Sequence, residues 1–327
     1  MLRKFFALTL LIALLAACAP QATAAVAPAA TEVPATQAAT AIPTAEAAGI
    51  VFTDGLGHEV KLEGPAQRVV SLAPSITEFL FAVGAGSQTV GRDEMSNFPE
   101  EALNVASIGS TYGDLNAEAI LALKPDLVIA AQANTPEQVK ALENLGVTVY
   151  YLNNPVTFAE LFEQVELFGQ LTGHEEEASA LAESLSVRVD GFTSATANFV
   201  EKPKVFYEID GTDASKPWTT GAGTFIDTII AMAGGVNIGG VLNEPYAQIS
   251  VEEIVLQNPD FILLGDAAYG VTAESVAARP GWGDLTAVKS GAIVPFDDNL
   301  ASRPGPRLVD GLEEMLKILH PELVPAQ

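Results

Sequence analysis

The chain has 327 residues, 49% of them hydrophobic, with 41 acidic against 16 basic side chains and a formal net charge of −25. That balance argues against nucleic acid as a partner, since phosphate recognition needs a basic face, and the length suits two lobes of roughly 100–150 residues each. The single cysteine leaves no intramolecular disulfide, so hydrophobic packing must hold the fold together.

The first residues read as a targeting signal over residues 1–17: Arg3 and Lys4, an apolar run from Phe5 to Leu15, then Ala16-Ala17 ahead of Cys18. The apolar run is shorter than the roughly 20 residues a bilayer span needs. Leu15-Ala16-Ala17-Cys18 resembles the lipobox of bacterial lipoproteins, which implies cleavage before Cys18 and a lipid on its thiol. Residues 19–49 contain 14 Ala, 5 Thr and 4 Pro with no aromatic residue and no Lys or Arg. Such a stretch buries too little apolar surface to offset its ordering entropy, so residues 18–49 are read as a lipidated cysteine and a disordered tether.

The folded part opens with a hairpin over Ile50–Leu62, turning at Asp54-Gly55-Leu56-Gly57. Arg68-Val69-Val70-Ser71-Leu72 predicts a buried strand, and Ser75-Ile76-Thr77-Glu78 matches a capping box ahead of a helix that stops at Gly84. Further strands are expected near Val90, near Ile108, at Leu127–Ala130 and at Val147–Leu152, with a helix from Pro136 to Leu145 between the last two. Strands alternating with helices predict a mostly parallel sheet covered on both faces. Residues 157–200 carry two apolar helical stripes and no strand. A helix from His174 to Phe199 would measure about 40 Å and would link a first lobe at 50–156 to a second at 201–327. That second lobe predicts a strand at Val205–Ile209, a polar loop to Gly221, a helix from Thr224 to Met232 and a strand at Ile293–Phe296. A last helix starts at Pro306 and buries Leu308, Leu312, Met315 and Leu319.

One stretch occurs twice without a gap. Residues 115–129 (Leu115-Asn116-Ala117-Glu118 through Pro125-Asp126-Leu127-Val128-Ile129) match residues 249–263 (Ile249-Ser250-Val251-Glu252 through Pro259-Asp260-Phe261-Ile262-Leu263). Each copy reads as a polar cap, a short helix, a Pro-Asp break and a buried strand. Glu118 and Glu252 occupy the same place in each, 134 residues apart, too far for a solenoid.

Three segments carry a resemblance: Arg68 through Glu78, Ala122-Leu123-Lys124-Pro125-Asp126-Leu127-Val128-Ile129, and Pro304-Gly305-Pro306-Arg307-Leu308. Through them the chain resembles the helical-backbone solute receptors of ABC importers, the branch that carries cobalamin, ferric siderophores and haem. The resemblance implies an α/β fold of two lobes, each a mostly parallel sheet with flanking helices, joined by one long connecting helix with a ligand cleft between them. It also implies a monomer anchored outside the cell membrane, in the periplasm or on the outer surface, with no resident cofactor and a metal chelate as cargo. Glu118 and Glu252 stand where the family docks a glutamate of each lobe into arginine pockets of the permease dimer. Tyr112, Trp218 and Tyr246 match aromatic positions that pack on the corrin and its base in the cobalamin receptors. Met95 and Ala131 stand where those receptors carry further aromatic residues.

Around the expected cleft lie Asp297, Asp298, Asn299 and Arg303, with Arg92 and Asp93 after the Val90 strand. Arg303 either holds an acidic or amide-rich ligand or pairs with Asp298. Two arginines against three aspartates suit a neutral or cationic ligand such as a corrinoid better than an anionic ferric siderophore; haem held by Tyr112 or Tyr246 is a further alternative. His58, His174 and His320 are too dispersed for a metal site. The sequence has no Gly-x-Ser-x-Gly elbow, His-Glu-x-x-His pair or phosphate loop, which argues against an enzyme. A surface sensor or adhesin with the same fold is the rival reading.

Overall fold

The computed structural model describes residues 49–323, and the expected signal peptide, Cys18 and nearly all of the tether lie outside the described residues. The first element is the expected hairpin: β1 (Ile50–Thr53) pairs antiparallel with β2 (Glu59–Leu62). Asp54 builds its turn by accepting the amides of Leu56 and His58 on one carboxylate oxygen, at 2.9 and 2.8 Å.

Two sheets follow. In the first lobe β3 (Val69–Ser71), β4 (Thr89–Arg92), β5 (Leu127–Ala131) and β6 (Val149–Leu152) lie all parallel in the order β4-β3-β5-β6. In the second, β7 (Lys204–Asp210), β8 (Trp218–Thr220), β9 (Val236–Asn237), β10 (Tyr246–Gln248), β11 (Phe261–Leu264) and β12 (Ile293–Pro295) take the order β10-β8-β7-β11-β12, with β9 also beside β7. Only β8 and β10 run antiparallel to their neighbours. The strand expected near Ile108 reduces to one bridge between Ser107 and Arg92, because Gly109 at φ +87° turns the chain away. Conversely β8 and β10, expected as loops, are strands: three residues each, paired to each other across a long intervening segment, they leave no local periodicity to read.

The connections contain α1 (Pro74–Ala82), α2 (Ala117–Ala122), α3 (Pro136–Glu143), α4 (Phe158–Thr172), α5 (Glu175–Thr196), α6 (Phe225–Met232), α7 (Val251–Gln257), α8 (Ala273–Ala277), α9 (Thr286–Ser290), α10 (Asn299–Ser302) and α11 (Leu308–Leu319). The capping box expected at Ser75–Glu78 does not form. Pro74 takes the first helical position and Ala73 the cap, so Glu78 falls at the fifth position, out of reach of the cap amide. The 157–200 span holds two helices broken at Gly173, which adopts φ +78°. The second, α5, has 22 residues and is about 33 Å long.

The duplicated segments fold alike down to single hydrogen bonds. In each the helix cap, Asn116 or Ser250, accepts the amide three residues on. Lys124 and Asn258 both adopt φ +49°, the left-handed turn that ends the helix. The aspartates after the prolines then clip the sheet. Asp126 accepts the Arg68 amide at 2.9 Å and gives its own amide to the Arg68 carbonyl; Asp260 does the same with Lys204, at 2.8 Å in both directions. Even the basic side chains match, Arg68 donating to the Leu123 carbonyl and Lys204 to that of Gln257.

Alternation along the strands sorts the core into layers. Val69, Leu127 and Ile129 of the first sheet, and Val205, Tyr207 and Leu263 of the second, join one cluster with Phe79, Phe168, Ile229, Leu312 and Met315 from α1, α4, α6 and α11. The intervening residues point outward. Val70 and Val128 pack on Ile120 of α2, and Phe206 and Ile262 pack on Ile254 of α7, each in its own cluster. Both lobes therefore lean on a shared helical middle layer, and the repeat helices cover their outer faces. Among the described residues no helix is long and apolar enough to cross a membrane.

The second lobe buries an ion pair. Glu208, fully covered, receives both guanidinium nitrogens of Arg279, and the guanidinium stacks 4.7 Å from the Trp282 ring. Removing one partner strands a buried charge. Arg279→Met is expected to lower unfolding free energy by about 3–5 kcal/mol in a denaturant titration, and adding Glu208→Gln to recover part of that loss.

Candidate ligand-binding site

The site is organised by a carboxylate that joins the lobes. Glu78 on α1 is almost completely buried and receives two bonds from Arg307, at 3.0 and 2.6 Å. Arg303 adds a third contact at 3.3 Å and also donates to the Asn97 side chain at 2.8 Å. The Arg307 guanidinium sits over the Phe98 ring, 3.9 Å from its centre. Bidentate geometry fixes direction as well as distance. The loop 303–307 is thereby held against the start of α1, with Gly305 beside the Ser75 backbone and the Glu78 carboxylate.

Beneath α1 a buried hydroxyl chain continues this clamp. Thr77 donates to Ser71, at 2.8 Å, and contacts Ser96, whose hydroxyl donates to Asp93. Burial pushes the Asp93 carboxyl up, while Ser96, the Met95 amide, Arg303 and Arg92 pull it back. Arg92 itself is not at the cleft. Its side chain is buried and donates to the carbonyls of Ala102 and Asp93, both at 2.9 Å, so the ligand role expected for Arg92 is corrected to a structural one. The alternative pairing of Arg303 with Asp298 is corrected as well, since Glu78 and Asn97 take the guanidinium.

Between the lobes a cleft of about 270 Å³ opens beside this clamp. It brings together Met95 and Tyr112 of the first lobe with Asp298, Asn299 and Arg303 of the second. Asp298 is fixed from behind: the buried Tyr207 hydroxyl donates to it at 2.7 Å and Ser302 at 2.5 Å. Asn299 is held by Asp297 at 2.8 Å. The wall also includes Tyr269, 87% exposed in a turn after β11, which sequence reasoning missed. The signal was present, an aromatic residue in a loop at the carboxyl end of a strand. Trp218 and Tyr246 do not line this cleft directly. The β8–β10 register sets Tyr246 opposite Thr220, which puts it diagonal to Trp218 on one face of the strand pair. Both are half-exposed, and the Tyr246 phenol is pushed up by burial and by the Asp298 charge. Among the described residues no three His, Cys, Asp or Glu side chains converge to hold a metal.

Glu118 and Glu252 each occupy the second position of their helix, exposed, and among the described residues neither has a salt-bridge partner. Because α2 and α7 lead back into the parallel strands β5 and β11, both helix starts lie at the carboxyl edges of their sheets, the edges that bear the cleft loops.

Residues 69–300 match the family model described as periplasmic binding protein. An uncharacterized ABC transporter substrate-binding lipoprotein of Bacillus subtilis, YvrC, is 30% identical over 278 residues, 84% of this chain and 86% of that protein. The vitamin B12-binding protein of Vibrio cholerae is 30% identical over 258 residues, 78% of this chain and 90% of that one. Among solved structures, the periplasmic vitamin B12 binding protein BtuF of Vibrio cholerae superposes with a TM-score of 0.67 at 27% identity, covering 80% of this chain and 99% of its own. The apo periplasmic haem-binding protein RhuT of Roseiflexus gives 0.70 at 27% identity, covering 78% and 98%.

The buried phenol behind Asp298 yields a pH test. Burial and the Asp298 charge hold Tyr207 well above its ordinary 10.0, so the folded state favours the neutral phenol. Its contribution to stability is complete below pH 10.0 and is lost as pH rises through the higher folded value. Tyr207→Phe is expected to flatten part of the alkaline fall in denaturant midpoint, and an unchanged alkaline slope would contradict the assignment.

Proposed function

The chain belongs to the periplasmic binding protein family, and on that premise we propose that it captures a corrinoid in the interlobe cleft and delivers it to an ABC importer. It is a substrate-binding protein of the type whose relatives carry vitamin B12, haem and siderophores; its family is a class of solute-binding proteins and not of enzymes.

The corrinoid choice rests on the charge of the cleft. Asp298 is held at its wall by Tyr207 and Ser302, while the neighbouring guanidiniums of Arg303 and Arg307 are occupied by Glu78. Haem propionates and ferric siderophores bring negative charge, which needs free cations to offset its desolvation. A corrinoid presents amide donors that an anchored carboxylate accepts, and Tyr112, Tyr246, Trp218 and Tyr269 supply faces for a flat macrocycle. A cleft of about 270 Å³ grips one edge of such a ligand and leaves the rest to the flanking aromatic residues. The decisive measurement is the absorption spectrum of the purified protein after incubation with cobalamin, haem or a ferric siderophore and removal of free ligand. Cobalamin is expected to remain bound and to quench tryptophan fluorescence, with the quenching weakened in Trp218→Ala. Retention of haem or siderophore alone would overturn the choice.

Delivery requires an anchor on each lobe. In this reading Glu118 and Glu252 dock into basic pockets of a twofold permease, for which two equivalent carboxylates are the matching surface, and a lipid on Cys18 keeps the protein at the membrane. Reversing both charges, Glu118→Arg with Glu252→Arg, is expected to abolish ligand-stimulated ATPase of the reconstituted importer while leaving ligand affinity unchanged. Undiminished ATPase would favour a sensor or adhesin.

A further inference from the structure

Next to the interlobe cleft lies a larger cavity formed by the first lobe alone. It holds about 610 Å³, against about 270 Å³ for the cleft. One wall is the face of α3 that carries Gln138, Ala141 and Leu142, and the other is the loop 111–115 that leads into α2. Tyr112 and Ala133 line both spaces, so cleft and cavity are neighbours that share a wall. The dividing loop is anchored: the Gln138 amide donates to the carbonyls of Gly113 and Thr111. Gly109 and Gly113, at φ +87° and +82°, allow the bends on either side.

The lining selects by charge and shape. Leu115, Ala117, Ala141 and Leu142 make it largely apolar. Its charged groups are Asp114 and Glu137, and among the described residues that line it there is no Lys or Arg. A phosphate-bearing arm would meet only like charge there. A neutral flat ring would stack on Tyr112, and its amino groups would meet acceptors at the rim.

We propose that this cavity is a second compartment of the ligand site, taking a neutral heteroaromatic group projecting from the bound chelate. The proposal rests on the corrinoid reading, and its test separates the two. Adenosylcobalamin and cyanocobalamin share corrin and lower nucleotide and differ only in the axial group, so their affinities are compared by calorimetry in dim red light. The wild-type protein is expected to bind the adenosyl form about tenfold more tightly, on the scale of one buried aromatic contact. Ala141→Phe, on an exposed position of α3, is expected to fill the cavity and erase that preference while cyanocobalamin affinity is retained, which also reports an intact fold. Equal wild-type affinities, or a preference that survives Ala141→Phe, would overturn the second compartment. Failure of both corrinoids to bind the wild type would remove the corrinoid reading itself, and the compartment with it.

Discussion

The arrangement of the cleft depends on one buried carboxylate. Glu78 has left water almost entirely, and a charge in that position is tolerable only when its partners satisfy both oxygens. Arg307 does so with two bonds and Arg303 adds another, from a loop more than 220 residues further along the chain. The consequence is directional. The stretch that bears Asp298, Asn299 and Arg303, helix α10 with its flanking residues, is fixed against α1, the helix that follows β3 of the other lobe, and the cleft opens beside that seam.

The seam does not act alone. The central hydrophobic cluster contains residues from both sheets and from α1, α4, α5, α6 and α11, so neither lobe has a private inner core. Opening the cleft widely would expose apolar area shared by both lobes, besides breaking the Glu78 contacts. This is a physical reason to expect a receptor of nearly fixed shape, in which ligand selection falls on the groups lining the cleft. Those groups are already committed: Asp298 is locked by Tyr207 and Ser302, and Arg303 is occupied by Glu78 and Asn97. Among the described residues, the two guanidiniums beside this carboxylate wall, Arg303 and Arg307, are both taken by protein partners.

The duplication works at a different level. Its two copies reproduce the cap, the left-handed residue, the aspartate clip and the basic side chain closing over the preceding helix, although most side chains between them differ. What persists is the set of bonds that orients a short helix on the outer face of a parallel strand. Since both copies orient their helices alike, a glutamate at the second position of each is exposed at the corresponding edge of its lobe.

The parts legible in the sequence were those governed by neighbours in the chain. Short apolar runs at Val69–Ser71 and Leu127–Ala131 marked the buried strands, Leu308, Leu312, Met315 and Leu319 marked the buried stripe of the last helix, and the repeat with its two glutamates was visible as written. Tertiary structure decided how the polar residues are used. Glu78 has the spacing of a local cap and instead spans the lobes, Arg92 turns inward to two carbonyls, Arg303 avoids Asp298, and Trp218 and Tyr246 share one face of paired strands. The cause is the range of the interactions: backbone preference and hydrophobic period act over a few residues, whereas a charged side chain takes the partner that packing delivers, whatever its distance along the chain.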